Sequence, residues 1–81
     1  MASNFSQRIS FDGKNALAVI IPQMRKNGMH YEVNVKGYQR FYMTWSSLDR
    51  YDVVKQEGLQ LPYGLILAVS DAIEAHAKAN R

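Results

Sequence analysis

Alternation of apolar and polar positions is clearest over residues 30–46, HYEVNVKGYQRFYMTWS. Tyr31, Val33 and Val35 fall on one side of an extended chain, and Glu32, Asn34 and Lys36 on the other, because strand side chains alternate in direction. Phe41, Met43 and Trp45 repeat the pattern against Arg40, Tyr42, Thr44 and Ser46. The two runs predict a β-hairpin. Matching apolar faces pairs Val35 with Phe41, Val33 with Met43 and Tyr31 with Trp45, since a slip of one residue would set apolar groups against polar ones. Gly37, Tyr38 and Gln39 then form the loop, with Gly37 supplying backbone freedom.

The pattern changes period elsewhere. In residues 62–79, Ile66, Val69, Ile73 and His76 form a stripe at spacings of three and four, widened by Leu65 and Ala72. That is the signature of an amphipathic helix. Pro62 suits its first turn, and Glu74 stands four residues before Lys78, a favourable pair on a helix surface. Residues 14–28 also carry helical spacing in Leu17, Ile20, Ile21 and Met24. The Arg-Lys-Asn-Gly run at 25–28 resembles a helix end. A second helix before the hairpin is therefore expected, although Pro22 would cost an interior helix about 3 kcal/mol or more. A buried strand over Leu17–Ile21 is the alternative. Phe5, Ile9 and Phe11 at even spacing before Asp12-Gly13, a strong turn pair, suggest a strand or a loosely docked tail. In residues 46–58, Ser46 followed by Asp49 resembles a helix-capping arrangement, whereas Tyr51, Val53 and Val54 suggest a short strand instead.

These elements predict a single α+β domain over residues 1–81. A small antiparallel sheet built on the hairpin packs against a C-terminal helix, because a two-stranded hairpin is marginal without a cover for its apolar face. A hydrophobic content of 47% argues against disorder. Eighty-one residues bury about 60–65% of the unfolded surface, enough for a modest core. A small sheet also leaves an edge open for pairing with another chain. Trp45, Met43, Met24 and Met29 are read as core side chains, with methionine filling irregular gaps, and His30 as a rim residue at a strand start.

Charge alters the picture in one respect. The net charge is +3, but residues 1–40 carry six basic and two acidic groups, whereas residues 41–81 carry four and five. A basic half suits nucleic acid, acidic protein or an anionic surface. Small bacterial-type domains also carry such a balance for solubility alone. On the outward face of the hairpin, Lys36 and Arg40 stand directly opposed in the expected register. An anion between them would relieve their repulsion. Tyr42, Tyr38 and Asn34 lie near enough to stack or hydrogen-bond, and Lys14, Arg25 and Lys26 extend the basic region. A solvated hairpin tip is the competing explanation.

Candidate chemistry is sparse. There is no cysteine, which removes disulfides and thiolate metal sites and fits a reducing cytoplasm. His30 and His76 are the only histidines, a weak basis for a metal centre. Asp49 and Asp52 are too few oxygen donors for a hard cation. Ser46 and Ser47 lack the surroundings of an activated nucleophile. The N-terminus lacks the layout of a signal peptide, and Ala16–Ile21 is too short to span a bilayer. The expectation is a cytoplasmic, non-enzymatic protein with no cofactor and no membrane partner. Its favoured role is interaction with another protein or with itself through a sheet edge or apolar patch. The alternative is a nucleic-acid-binding module using Lys36, Arg40, Tyr42, Tyr38 and Asn34 on the sheet face.

Overall fold

The computed structural model describes residues 4–79. Five strands, β1 (Phe5–Phe11), β2 (Lys14–Arg25), β3 (Gly28–Val35), β4 (Phe41–Trp45) and β5 (Tyr51–Val53), precede one helix, α1 (Tyr63–Ala79). The strands form one antiparallel sheet in sequence order, so each connection is a local hairpin. The sheet curls, and α1 packs chiefly against the two edge strands, β1 and β5. The C-terminal helix thus forms as its stripe predicts. Glu74 and Lys78 stand 3.7 Å apart as an exposed pair.

Local chemistry explains the first hairpin. Asp12 and Gly13 take φ values of 50° and 74°, the left-handed pair that a two-residue turn matched to strand twist requires. Phe11 then pairs with Lys14 and Ile9 with Ala16, placing Ile9 and Phe11 under the helix beside Ala18 and Ile20.

The expected second helix is not formed: residues 14–25 are strand β2, the longest in the sheet. The run Ala16–Ile21 alternates between two faces, Ala18 and Ile20 toward the core and Leu17 and Val19 away from it. Apolar residues on both faces erase the polar alternation that marks a half-buried strand and mimic helical spacing. Pro22 lies in β2 opposite Tyr31, beyond Ile20, which pairs with the first residue of β1, and so in a position near a strand edge where proline is accommodated.

The hairpin of β3 and β4 forms with the expected faces but a register shifted by two residues. Val33 opposes Phe41 and Tyr31 opposes Met43. A two-residue shift keeps every side chain on its face, so matching faces could not choose between the registers. The wider loop lets Tyr38 turn back onto Phe11, with ring centroids 5.7 Å apart, while its N–H donates to the Val35 carbonyl at 3.0 Å. Lys36 and Arg40 are therefore not directly opposed, and the anion bridge inferred from that opposition loses its geometry.

The core gathers Ile20, Val33, Phe41 and Met43 from the sheet with Leu65, Val69 and Ile73 from the helix, all fully buried. Of the residues read as core from the sequence, Met43 is there. Trp45 is 52% exposed and Met24 75% exposed, because both lie at the far end of the sheet, beyond the helix's cover. His30 reverses the opposite expectation. It is 9% exposed, with its Nδ1 3.3 Å from the Gly28 carbonyl.

Residues 46–58 resolve into a turn and a short strand. The Ser46 hydroxyl accepts from the Leu48 N–H at 3.2 Å and donates to the Arg50 carbonyl at 2.8 Å, and Tyr51–Val53 then pairs with β4. Asp49 lies in the turn at φ 58°, and Asp52 accepts from the Val53 N–H at 2.8 Å. The two carboxylates thus serve local backbone geometry.

Candidate functional site on the open sheet face

One face of the sheet is covered by α1 and the other is open. The open face takes the even-numbered positions of β1, β3 and β4 and the odd-numbered positions of β2, as the register dictates. Its middle is apolar, with Leu17 52% and Val19 39% exposed on a central strand. An exposed aliphatic pair flanked by hydrogen-bonded strands on both sides is unlike the usual solvated face of an antiparallel sheet, which is polar.

Two clefts meet over Leu17. One, of about 680 Å³, is lined by Asn15, Leu17, Val19, Asn34, Lys36 and Tyr38 among others. The second, of about 500 Å³, is lined by Arg8, Ser10, Asn15 and Leu17 among others. Arg8 is the ladder partner of Leu17. Lys36 follows Val35, whose partner is Ala18, so Leu17 sits between two cations. With neighbouring strands about 4.8 Å apart, the backbones carrying Arg8 and Lys36 are about 10 Å apart. Polar groups edge this trough: the Ser10 hydroxyl donates to Asn15 Oδ1 at 2.6 Å.

The trough has a boundary. Glu32, one strand over and nearer the middle of the sheet, accepts from Gln23 at 3.3 Å and from Asn34 at 3.0 Å. Its carboxylate oxygens are held by neutral donors, and its charge limits the cation-rich region to the end of the sheet carrying the β1–β2 and β3–β4 turns. Tyr42, which opposes Glu32, lies outside that region, with the Arg25 guanidinium 4.8 Å from its ring centroid. That contact is a cation–π pair and occupies the ring face.

Of the site residues expected from the sequence, the structure brings Lys36, Asn34 and Tyr38 to one cleft. Tyr38 contributes its edge, since it also packs on Phe11. Arg40 is exposed at the end of the loop before β4, and Tyr42 sits apart under Arg25. Sequence reasoning missed Arg8, Ser10, Asn15, Leu17 and Val19, because a helix was expected over residues 14–28. The Asp12-Gly13 pair between two runs able to alternate was the signal that could have joined β1 to β2 and exposed this set.

Among the described residues, no three His, Asp or Glu side chains cluster to hold a metal ion, and no helix is long and apolar enough to cross a membrane. Phenols at the opposite end of the sheet do interact. Tyr31 packs edge-on against Tyr51 at 5.4 Å. Burial first, and then its hydrogen bond with Tyr51, push the Tyr31 phenol up to about 12. No family model, curated protein or solved structure matches the chain.

Proposed function

We propose that this protein binds single-stranded nucleic acid across the turn end of its open sheet face. The observation that carries the reading is the cross-strand order Arg8, Leu17, Lys36: two cations on either side of an exposed apolar floor. Phosphates pair with the cations while unstacked bases lie against Leu17 and Val19. Asn15, Asn34 and Ser10 offer donors and acceptors to base edges. A duplex hides its bases and gains nothing from that floor. From the sequence alone protein interaction ranks ahead of nucleic acid. The apolar floor between Arg8 and Lys36 favours the reverse order for this face, because a second copy laid upon it would oppose like charges.

With few cations available, binding is weak and steep in salt. Each phosphate neutralised on a single strand contributes a slope of about −0.7 in log affinity against log salt. The test is fluorescence anisotropy of a labelled oligothymidylate at several salt concentrations. Arg8→Ala with Lys36→Ala is expected to lower affinity at least about tenfold and to flatten the salt slope by about 1.4. Absence of binding at low salt, or equal binding by the double variant, rejects the assignment.

A further inference from the structure

The open face does not end at the trough. Along β2 away from Leu17, its outward positions are Val19, Ile21, Gln23 and Arg25. Eight residues of extended strand separate Leu17 from Arg25, about 26 Å. At that far end the Arg25 guanidinium lies 4.8 Å from the Tyr42 ring centroid. A cation beside an aromatic ring is the combination that single-strand grooves use. Arg25 Nη2 donates to Gln23 Oε1 at 3.0 Å, which leaves most of its five donors for other acceptors.

Glu32 stands between the two ends. It pairs with Ile21 on one side and with Tyr42 on the other, so a strand running along β2 has to pass it. Its carboxylate is held in place: Gln23 Nε2 donates to Oε1 at 3.3 Å and Asn34 Nδ2 donates to Oε2 at 3.0 Å. Both donors are neutral amides, and Arg25 reaches Glu32 only by way of Gln23. The negative charge is thus fixed in direction without direct contact with a cation, and a phosphate brought beside it is repelled. We propose that Glu32 is a specificity determinant that makes this a site for short single strands. The preference depends on the single-strand reading of the face. Arg8 and Lys36 hold a segment of a few nucleotides across the trough, and Glu32 stops a longer strand from continuing to Arg25 and Tyr42. The ligand class is a strand end or a small loop, not a long unpaired tract.

The experiment compares salt slopes, which count the phosphates neutralised and do not grow with the number of registers on a longer strand. Labelled oligothymidylates of about three and about twelve nucleotides are titrated by anisotropy into the wild type, Glu32→Gln, and Glu32→Gln with Arg25→Ala. The wild type is expected to give one slope for both strands, about −1.4 from Arg8 and Lys36, a comparison that needs no variant. Glu32→Gln is expected to steepen the slope on the longer strand to about −2.1, as Arg25 takes a third phosphate. Adding Arg25→Ala is expected to restore about −1.4. A general change of charge or structure would act on both strands alike. A steeper wild-type slope on the longer strand overturns the inference and leaves the single-strand reading standing. So does Glu32→Gln without steepening, with equal steepening on both strands, or with steepening that survives Arg25→Ala. Failure of the wild type to bind either strand, or binding unaffected by Arg8→Ala with Lys36→Ala, overturns that reading and this inference together.

Discussion

Strand β2 presents two faces of nearly equal hydrophobicity with opposite fates. Ala18 and Ile20 are fully buried, whereas Leu17 and Val19, each one residue before them, remain 52% and 39% exposed. Composition does not separate them. The position of a single helix does, because α1 can cover only one side of the sheet. What the comparison teaches is that an apolar residue marks a surface meant to be covered without saying by what. On one face of β2 the cover belongs to the chain; on the other, Leu17 and Val19 stay partly exposed.

Substitutions on the two faces sharpen this contrast most. Ile20→Ala removes a fully buried side chain and is expected to cost about 2–5 kcal/mol. Leu17→Ala, half exposed, is expected to cost about 1 kcal/mol or less. Urea unfolding of both variants measures the difference, and equal losses would mean that the open face is structural.

A smaller effect comes from Tyr31, on the covered side near its margin. Its phenol is pushed up from 10 to about 12 by burial and then by Tyr51. Between those values the unfolded chain has released the proton and the folded chain still holds it. Stability is therefore fully present below pH 10 and declines as pH rises toward 12. After allowance for partial exposure the loss is about 1–2 kcal/mol. Tyr31→Phe should remove this component of the decline, which thermal melts across that range would reveal.

The smallest effect is expected at Gly64, where α1 comes closest to the first turn. An added Cβ would stand 2.9 Å from Asp12 Oδ1 and 3.5 Å from the Phe11 Cβ. The carboxylate is the end of a side chain that can rotate away, and alanine is the better helix former by about 1 kcal/mol in a helix interior and by less in a first turn. Gly64→Ala is expected to leave the melting temperature nearly unchanged. A large drop would show that helix and turn are locked together there.

Much of the fold is legible in the sequence, and the illegible parts share a cause. The C-terminal helix and the faces of the hairpin of β3 and β4 follow from strict periodicity between dissimilar sides. Strand β2 does not, because apolar groups on both faces remove the contrast on which periodicity depends. The hairpin register does not either, since faces repeat every two residues; in the register formed, Tyr38 packs on Phe11. The candidate site suffered twice. Lys36, Asn34 and Tyr38 line one cleft, but Arg8 and Leu17 join it only through the hairpin of β1 and β2, which the helical spacing of residues 14–28 hides. Arg40 and Tyr42 join Lys36 only in the expected register; in the structure Arg40 is exposed at the end of the loop before β4, and Tyr42 opposes Glu32 beneath Arg25.

The sequence by itself determined the helix, the Asp12-Gly13 turn, the alternation of β3 and β4, and the lack of any cysteine chemistry. Each of these depends on residues within a few positions of one another. The tertiary structure alone decided that residues 14–25 extend rather than coil, that Leu17 stands between Arg8 and Lys36, and that Met24 and Trp45 lie outside the core. Those outcomes depend on which distant strand arrives alongside and on where one helix stops covering the sheet. Burial is a property of the assembled surface, and local preference carries no record of it.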